Sequence, residues 1–91
     1  MKNFVQLHAN DNIVIALINF EAGAIIKVGD KEIILKDTIN FGHKIAIKEI
    51  AKKAKILKYG LSIGSATQNI VVGEHVHSHN LETDYLMTDP K

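Results

Sequence analysis

Ala16-Leu17-Ile18-Asn19-Phe20-Glu21-Ala22-Gly23-Ala24-Ile25-Ile26 sets a pattern that returns twice without gaps. It recurs as Ala46-Ile47-Lys48-Glu49-Ile50-Ala51-Lys52-Lys53-Ala54-Lys55-Ile56 and as Ala66-Thr67-Gln68-Asn69-Ile70-Val71-Val72-Gly73-Glu74-His75-Val76. In each copy alanine is followed three positions on by a polar residue (Asn19, Glu49, Asn69). A large apolar residue stands four on (Phe20, Ile50, Ile70), and an aliphatic one ten on (Ile26, Ile56, Val76). Gly23 and Gly73 occupy the seventh step, where glycine suits a turn that needs positive φ. Lys53 stands there in the middle copy, which weakens the turn assignment at that point. Each copy reads as strand, short turn carrying one inserted apolar plug, then strand. The period is short and irregular, so no solenoid is implied.

The middle copy decides the fold class. Taken alone, Lys44–Lys58 suits a helix, with Ile47, Ile50, Ala51 and Ala54 on one face and lysines on the other. Aligned with its two sisters, it reads as strands instead. The flanking sequence agrees. Val5–Ala9 alternates as a half-buried strand does, and Asn10-Asp11-Asn12 is a turn cluster. Ile13–Ile18 is a continuous β-branched run expected to be buried on both faces. Ile25–Val28 and Glu32–Leu35 flank Gly29-Asp30, a tight hairpin signal. Asp37–His43 reads as a loop. Tyr59-Gly60-Leu61 reads as a turn, and Gly64-Ser65 as a bend or a place of close backbone approach. The expectation is a mainly β domain of short bent strands with one or two brief helical turns. It spans residues 1–91 as a single unit, with a core over about 4–80 and a polar tail over 81–91 that lies on the surface, frays or docks on a partner.

Length and composition bound the function. A chain of 91 residues buries roughly 64% of its unfolded surface, enough for one modest core. Its eleven basic residues are all lysine, and the formal net charge is +1. That balance leaves no nucleic-acid footprint. Without arginine, an anionic substrate would need lysine, backbone N–H groups or a second chain to hold it. Cysteine is absent, so there is neither a disulfide framework nor a thiolate metal site. The N-terminus has no apolar signal core, and Ile13–Ile18 is far too short to span a bilayer. The expectation is a cytoplasmic protein with no membrane partner.

Gly73-Glu74-His75-Val76-His77-Ser78-His79-Asn80 carries the chemistry. On an extended backbone His75, His77 and His79 share one face. Three neutral imidazoles on one face can bind a divalent metal. The same spacing also fits a polar strand end with exposed histidines.

Several stretches, in this order, resemble one family. They are Gly42-His43-Lys44, Ile45-Ala46-Ile47-Lys48-Glu49-Ile50, Leu57-Lys58-Tyr59-Gly60, Ile63-Gly64, and the histidine block through Leu81. The family is the small SAF-type domain of the altronate and galactarate dehydratases, shared with the small subunit of sulfolactate sulfo-lyase. The resemblance runs from about Leu7 to Asn80. It implies a β-clip fold. It also implies elimination of water from a sugar acid, or of sulfite from sulfolactate, assisted by Fe2+ or Mn2+. The family's large catalytic domain is not in this sequence, so the expected partner is a separate large subunit; self-association is left open.

The chemistry implied is elimination beside a carboxylate, which needs a base for the carbon-bound proton and an acid for the departing hydroxyl. His75, His77 and His79 are then candidate metal ligands, and His77, His79 and His43 candidate acid or base groups. Lys44 and Asn80 are candidate substrate contacts. Each has a plainer reading. The histidines could orient a loop, Asn80 could cap a turn, and Lys44 could be an exposed strand lysine. Glu74 is either an outer carboxylate behind a ligand histidine or a solvated residue. His8 reads as a surface residue and Tyr59 as a core-edge aromatic. The competing functions are an altronate-type dehydratase subunit, a sulfo-lyase subunit, and a stand-alone carbohydrate- or metal-binding module.

Overall fold

A computed structural model describes residues 2–84. Nine short strands make up its regular structure, and among the described residues there is no helix, so the brief helical turns anticipated above do not form. In chain order they are β1 Phe4–Val5, β2 Ile13–Ala16, β3 Ile25–Val28, β4 Lys31–Ile34, β5 Lys44–Ala46, β6 Lys55–Lys58, β7 Leu61–Ala66, β8 His75–Val76 and β9 Leu81–Glu82. They form a four-stranded sheet in the order β1-β2-β5-β8, a β3–β4 hairpin, and a three-stranded sheet β6-β7-β9. Every pairing is antiparallel.

The repeated pattern is the architectural unit, and it occurs four times rather than three. Leu35-Lys36-Asp37-Thr38-Ile39-Asn40-Phe41-Gly42 is a further copy with leucine in place of the leading alanine. The copies interlock in two pairs. Phe20 and Ile39 exchange main-chain hydrogen bonds at 2.8 and 2.9 Å, flanked by Gly42 N–H to Ala16 C=O and Gly23 N–H to Leu35 C=O. Ile50 and Ile70 do the same at 2.9 and 2.8 Å, flanked by Gly73 N–H to Ala46 C=O and Lys53 N–H to Ala66 C=O. All four plugs are buried. The residue at the seventh step takes positive φ in every copy: Gly23 +93°, Gly42 +87°, Gly73 +94° and Lys53 +75°. The turn therefore forms at Lys53 despite its side chain, at a local cost of about 1–2 kcal/mol that the surrounding hydrogen bonds and the burial of Ile50 offset.

Each interlocked pair has its own core. Val14, Ala16, Phe20, Ile26, Ile33, Leu35, Ile39, Ile45 and Ile47 form the first. Ile13, Ala46, Ile50, Ile56, Ala66, Ile70 and Val76 form the second. Strand β2 serves both, because alternate side chains leave opposite faces of a strand. Val14 and Ala16 enter the first core and Ile13 the second, which is why Ile13–Ala16 has no polar face. This tertiary arrangement overrides the helical propensity of Lys44–Lys58, which forms β5, the turn at Lys53 and β6.

Three local expectations shift. The strand anticipated over Val5–Ala9 is confined to Phe4–Val5, after which the chain turns and Asp11 N–H bonds to His8 C=O. The tail does not start at residue 81. Leu81 and Glu82 pair with Ala66 and Ser65, and Leu81 packs on the second core. Asp84 continues the attachment through Ser65 and Lys55. Tyr85–Lys91, the rest of the anticipated tail, lies outside the described residues. Tyr59 is not a core-edge ring but sits exposed at the tip of the β6–β7 hairpin with φ +59°.

The remaining turn signals hold. Gly29, at φ +61°, closes the β3–β4 hairpin. Gly64 marks a close approach: a Cβ there would lie 2.3 Å from Glu82 C=O. Asp11, read from sequence only as part of a turn, is fully buried, and its carboxylate accepts from Tyr59 N–H at 3.0 Å and Gly60 N–H at 2.7 Å.

Candidate metal centre

The histidines gather at the open end of the four-stranded sheet. In its register Ile45 lies opposite His75 and Lys44 opposite Val76. One step further along the same register, His43 lies opposite His77. Ala46 N–H bonds to Glu74 C=O. Antiparallel pairs alternate between bonded and non-bonded types, so 45/75 and 43/77 are both non-bonded pairs, in which opposing side chains come closest. His43, His75 and His77 therefore share the sheet face that Ile45 presents to the first core.

The ring geometry follows. His43 stacks on His77 with centroids 4.5 Å apart, and on His75 at 5.0 Å. His75 and His77 are parallel to within 10° at 5.5 Å. His79 tilts against His75 at 38° and 5.3 Å. His43 Nδ1 and His75 Nε2 lie 2.8 Å apart, so the neutral pair shares one proton between two nitrogens. One ligating nitrogen from each of His43, His75 and His77 can be chosen so that all three lie within 4.8 Å of one another.

Strand β8 is only two residues long, and the loop beyond it is held by side chains. Asn80 is 1% exposed. Its Oδ1 accepts from His77 N–H and its Nδ2 donates to His75 C=O, both at 2.9 Å. The backbone closes the same turn through Asn80 N–H to His77 C=O. Asp37 accepts from His75 N–H at 3.0 Å. Glu74 accepts from Val71 N–H at 2.8 Å and so caps the turn that carries Gly73. Gly73 itself is pressed against the β4 end, where a Cβ would meet Ile34 C=O at 2.3 Å.

The electrostatics favour uncharged imidazole at the inner ring. Burial holds the His75 pKa below its ordinary value, and positive charge on His43, His79 or His77 lowers it further; Asp37 opposes them. A neutral ring keeps a lone pair for a metal or a proton. Zinc–imidazole bonds are about 2.0–2.1 Å, so nitrogens on a shared ion lie within about 4.2 Å of each other. The observed set needs only small ring movements to meet that limit. Three nitrogen donors on a partly exposed face, with no thiolate among them, fit a borderline divalent ion with open positions.

The expected residues distribute as follows. His75, His77 and His43 converge, and His79 flanks them. His43 stands just before a different strand, β5, and it completes the compact triad in place of His79. Asn80 is buried, with its amide engaged by the loop backbone. Lys44 lies on the opposite face of β5, facing Ile15 and Val76; burial and the charge of Lys58 lower its pKa. His8 is exposed on the surface, away from the cluster, with its Nδ1 accepting from Asn10 N–H. Asp37 was missed because the sequence around it reads as a loop; only the fold brings it to His75, 38 positions away.

Residues 2–84 match the family described as the SAF domain of altronate/galactarate dehydratase. The chain belongs to that family. It is 42% identical over 84 residues to altronate dehydratase of Bacillus subtilis and 40% identical over 81 residues to that of Escherichia coli. Those alignments cover 92% and 89% of this chain but 17% and 16% of the two relatives, so the SAF chain spans about a sixth of their length. It is also 39% identical over 88 residues to (2R)-sulfolactate sulfo-lyase subunit alpha of Chromohalobacter salexigens, covering 89% of this chain and 94% of that one. Among the described residues of this SAF domain, no helix is long and apolar enough to cross a membrane.

Proposed function

We propose that this SAF domain contributes the His43, His75, His77 and His79 edge to the active centre of a lyase that eliminates water from a sugar acid of the altronate type. The observation that carries the reading is the convergence of three imidazole nitrogens on one face. Membership in the dehydratase SAF family supports it. The remainder of the active centre comes from a large catalytic subunit. A relative of nearly the same length bears the name subunit alpha, which supports a division of the enzyme between chains.

His43, His75 and His77 would hold a divalent ion, and His79 packs beside them against His75. Fe2+ or Mn2+ bound there would supply Lewis acidity toward the substrate's oxygen atoms. The chain's own groups act around it. His79, outside the triad, is exposed, and its imidazole can take the proton beside the carboxylate or donate one to the departing hydroxyl. His43, bonded to His75, relays or holds a proton at Nδ1. Asp37 and Asn80 fix the backbone on either side of His75. The buried face of the sheet keeps water from the inner side of the cluster.

A second reading is favoured by the match to sulfo-lyase subunit alpha along 94% of that relative. There the same edge would serve elimination of sulfite, a better leaving group that needs less acid assistance.

The test is co-production of the chain with its large-subunit candidate, followed by assays of altronate and sulfolactate side by side. Turnover of altronate that falls at least about a hundredfold in His77→Ala supports the first reading. Turnover of sulfolactate alone selects the second. A chain that binds metal or sugar tightly without any partner, and adds nothing to turnover, would make it a binding module. Unchanged turnover and metal content in both His77→Ala and His43→Ala would remove the histidine edge from the mechanism.

A further inference from the structure

We infer that Asn80 is the positioning residue of the histidine cluster, its buried amide standing in for a missing strand along the outer edge of β8. The significance for catalysis rests on the reading above; the geometry does not. In the 45/75 and 43/77 non-bonded pairs, the main-chain groups of His75 and His77 point away from β5, toward the free edge of the sheet. Among the described residues no strand lies beyond β8. A bare edge would leave the chain free to turn away after Val76. On that edge Asp37 accepts from His75 N–H, and the Asn80 amide bonds to His75 C=O and His77 N–H, two positions apart, as a neighbouring strand would.

The consequence is register. Two bonds that straddle Val76 hold the backbone extended through His77, although the regular strand ends at Val76. His77 therefore keeps the side of the sheet that His75 has, and lies over His43 at 4.5 Å. Asn80 is itself fixed. Its main-chain carbonyl accepts from Thr67 N–H at 3.0 Å, which ties the clamp to the end of β7. Asparagine meets the requirement because it offers one donor and one acceptor in a plane. Aspartate lacks the donor, and glutamine is one methylene too long for the packed site. The Asn80 amide bonds to the backbone of His75 and His77 and to no ring nitrogen, so it acts on the cluster by placing the histidines.

The experiment uses the full chain with Asn80→Ala and Asn80→Asp, and two readouts. Proton NMR contacts between the His43 and His77 rings report the stacking directly, with no metal present. Titration with Zn2+ alone reports the nitrogen triad. Asn80→Ala is expected to keep the dispersed spectrum of a folded chain, lose the His43–His77 ring contacts, and bind Zn2+ at least about tenfold more weakly. Asn80→Asp, which keeps the acceptor for His77 N–H, should also lose Zn2+ affinity, by a smaller factor. Ile56→Val, which loosens the second core but removes no bond of the clamp, should lower stability and leave both readouts unchanged. If Asn80→Ala fails to fold, Asn80→Asp and Asn80→Ser carry the same two readouts. Folded variants that retain the ring contacts and bind Zn2+ within about twofold of the parent would overturn the inference. Should the parent itself bind no Zn2+, the metal reading falls, and the ring contacts still decide the role of Asn80.

Discussion

His43 and His75 stand 32 positions apart in sequence, yet their ring nitrogens approach to 2.8 Å. One ring stands at the entry to β5 and the other on β8, and the register between these strands fixes the distance. This contact joins the two halves of the chain at the place where three ligating nitrogens converge.

That contact has a pH signature. His75 has a folded pKa below its unfolded value of about 6.5, chiefly through burial. Between those two values the unfolded chain binds more protons than the folded one, so stability rises with pH there. Stability is full above about pH 6.5 and falls as the pH drops toward the folded value. Urea midpoints measured between about pH 5 and 8 should show this fall. His75→Asn should show a shallower one; an unchanged slope would mean that His75 carries no shift.

Gly73 and Gly23 occupy the same step of the repeated turn with nearly the same φ, +94° and +93°. Their surroundings differ. A Cβ at Gly23 meets nothing within 4 Å, whereas one at Gly73 meets the Ile34 carbonyl at 2.3 Å. Gly23→Ala should cost about 1–2 kcal/mol from backbone strain alone. Gly73→Ala should cost about 2–5 kcal/mol, because the β4 end must also move. Equal losses in chemical denaturation would show that the close approach is relieved at no cost.

Lys53 is the one copy of that step with a side chain, at φ +75°. Lys53→Gly removes the strain and adds disorder to the unfolded chain. The two effects oppose, and the net expectation is a gain of up to about 1 kcal/mol, read as a raised melting temperature. A loss would mean that the lysine contributes more than its backbone strain costs.

Asp11 supports the β6–β7 hairpin from the opposite end of the chain. Its buried carboxylate accepts from Tyr59 N–H and Gly60 N–H, and Asp11→Ala leaves both donors without a partner. The expected cost is about 2–4 kcal/mol. Hydrogen exchange at Tyr59 and Gly60 should accelerate more than at Ile45 in the central sheet. Uniform acceleration would mean that Asp11 matters only to global stability.

The sequence by itself determined the mainly β character, the Gly29-Asp30 hairpin and three of the four plug turns. These rest on spacings within about ten residues, and a local backbone preference is readable wherever it is written locally. It also put His75 and His77 on one face, since alternation is a property of any extended segment. Leu35–Gly42 escaped notice because leucine replaces the leading alanine, while the plug and glycine spacing are intact. Only the tertiary structure decided how the turns pair, which buries Phe20 against Ile39 and Ile50 against Ile70. Only it brought His43 beneath His77, set Asp37 against the His75 backbone and turned Lys44 to the other face. Those placements depend on register between strands far apart in sequence, and register is set by which apolar faces two cores can bury at once.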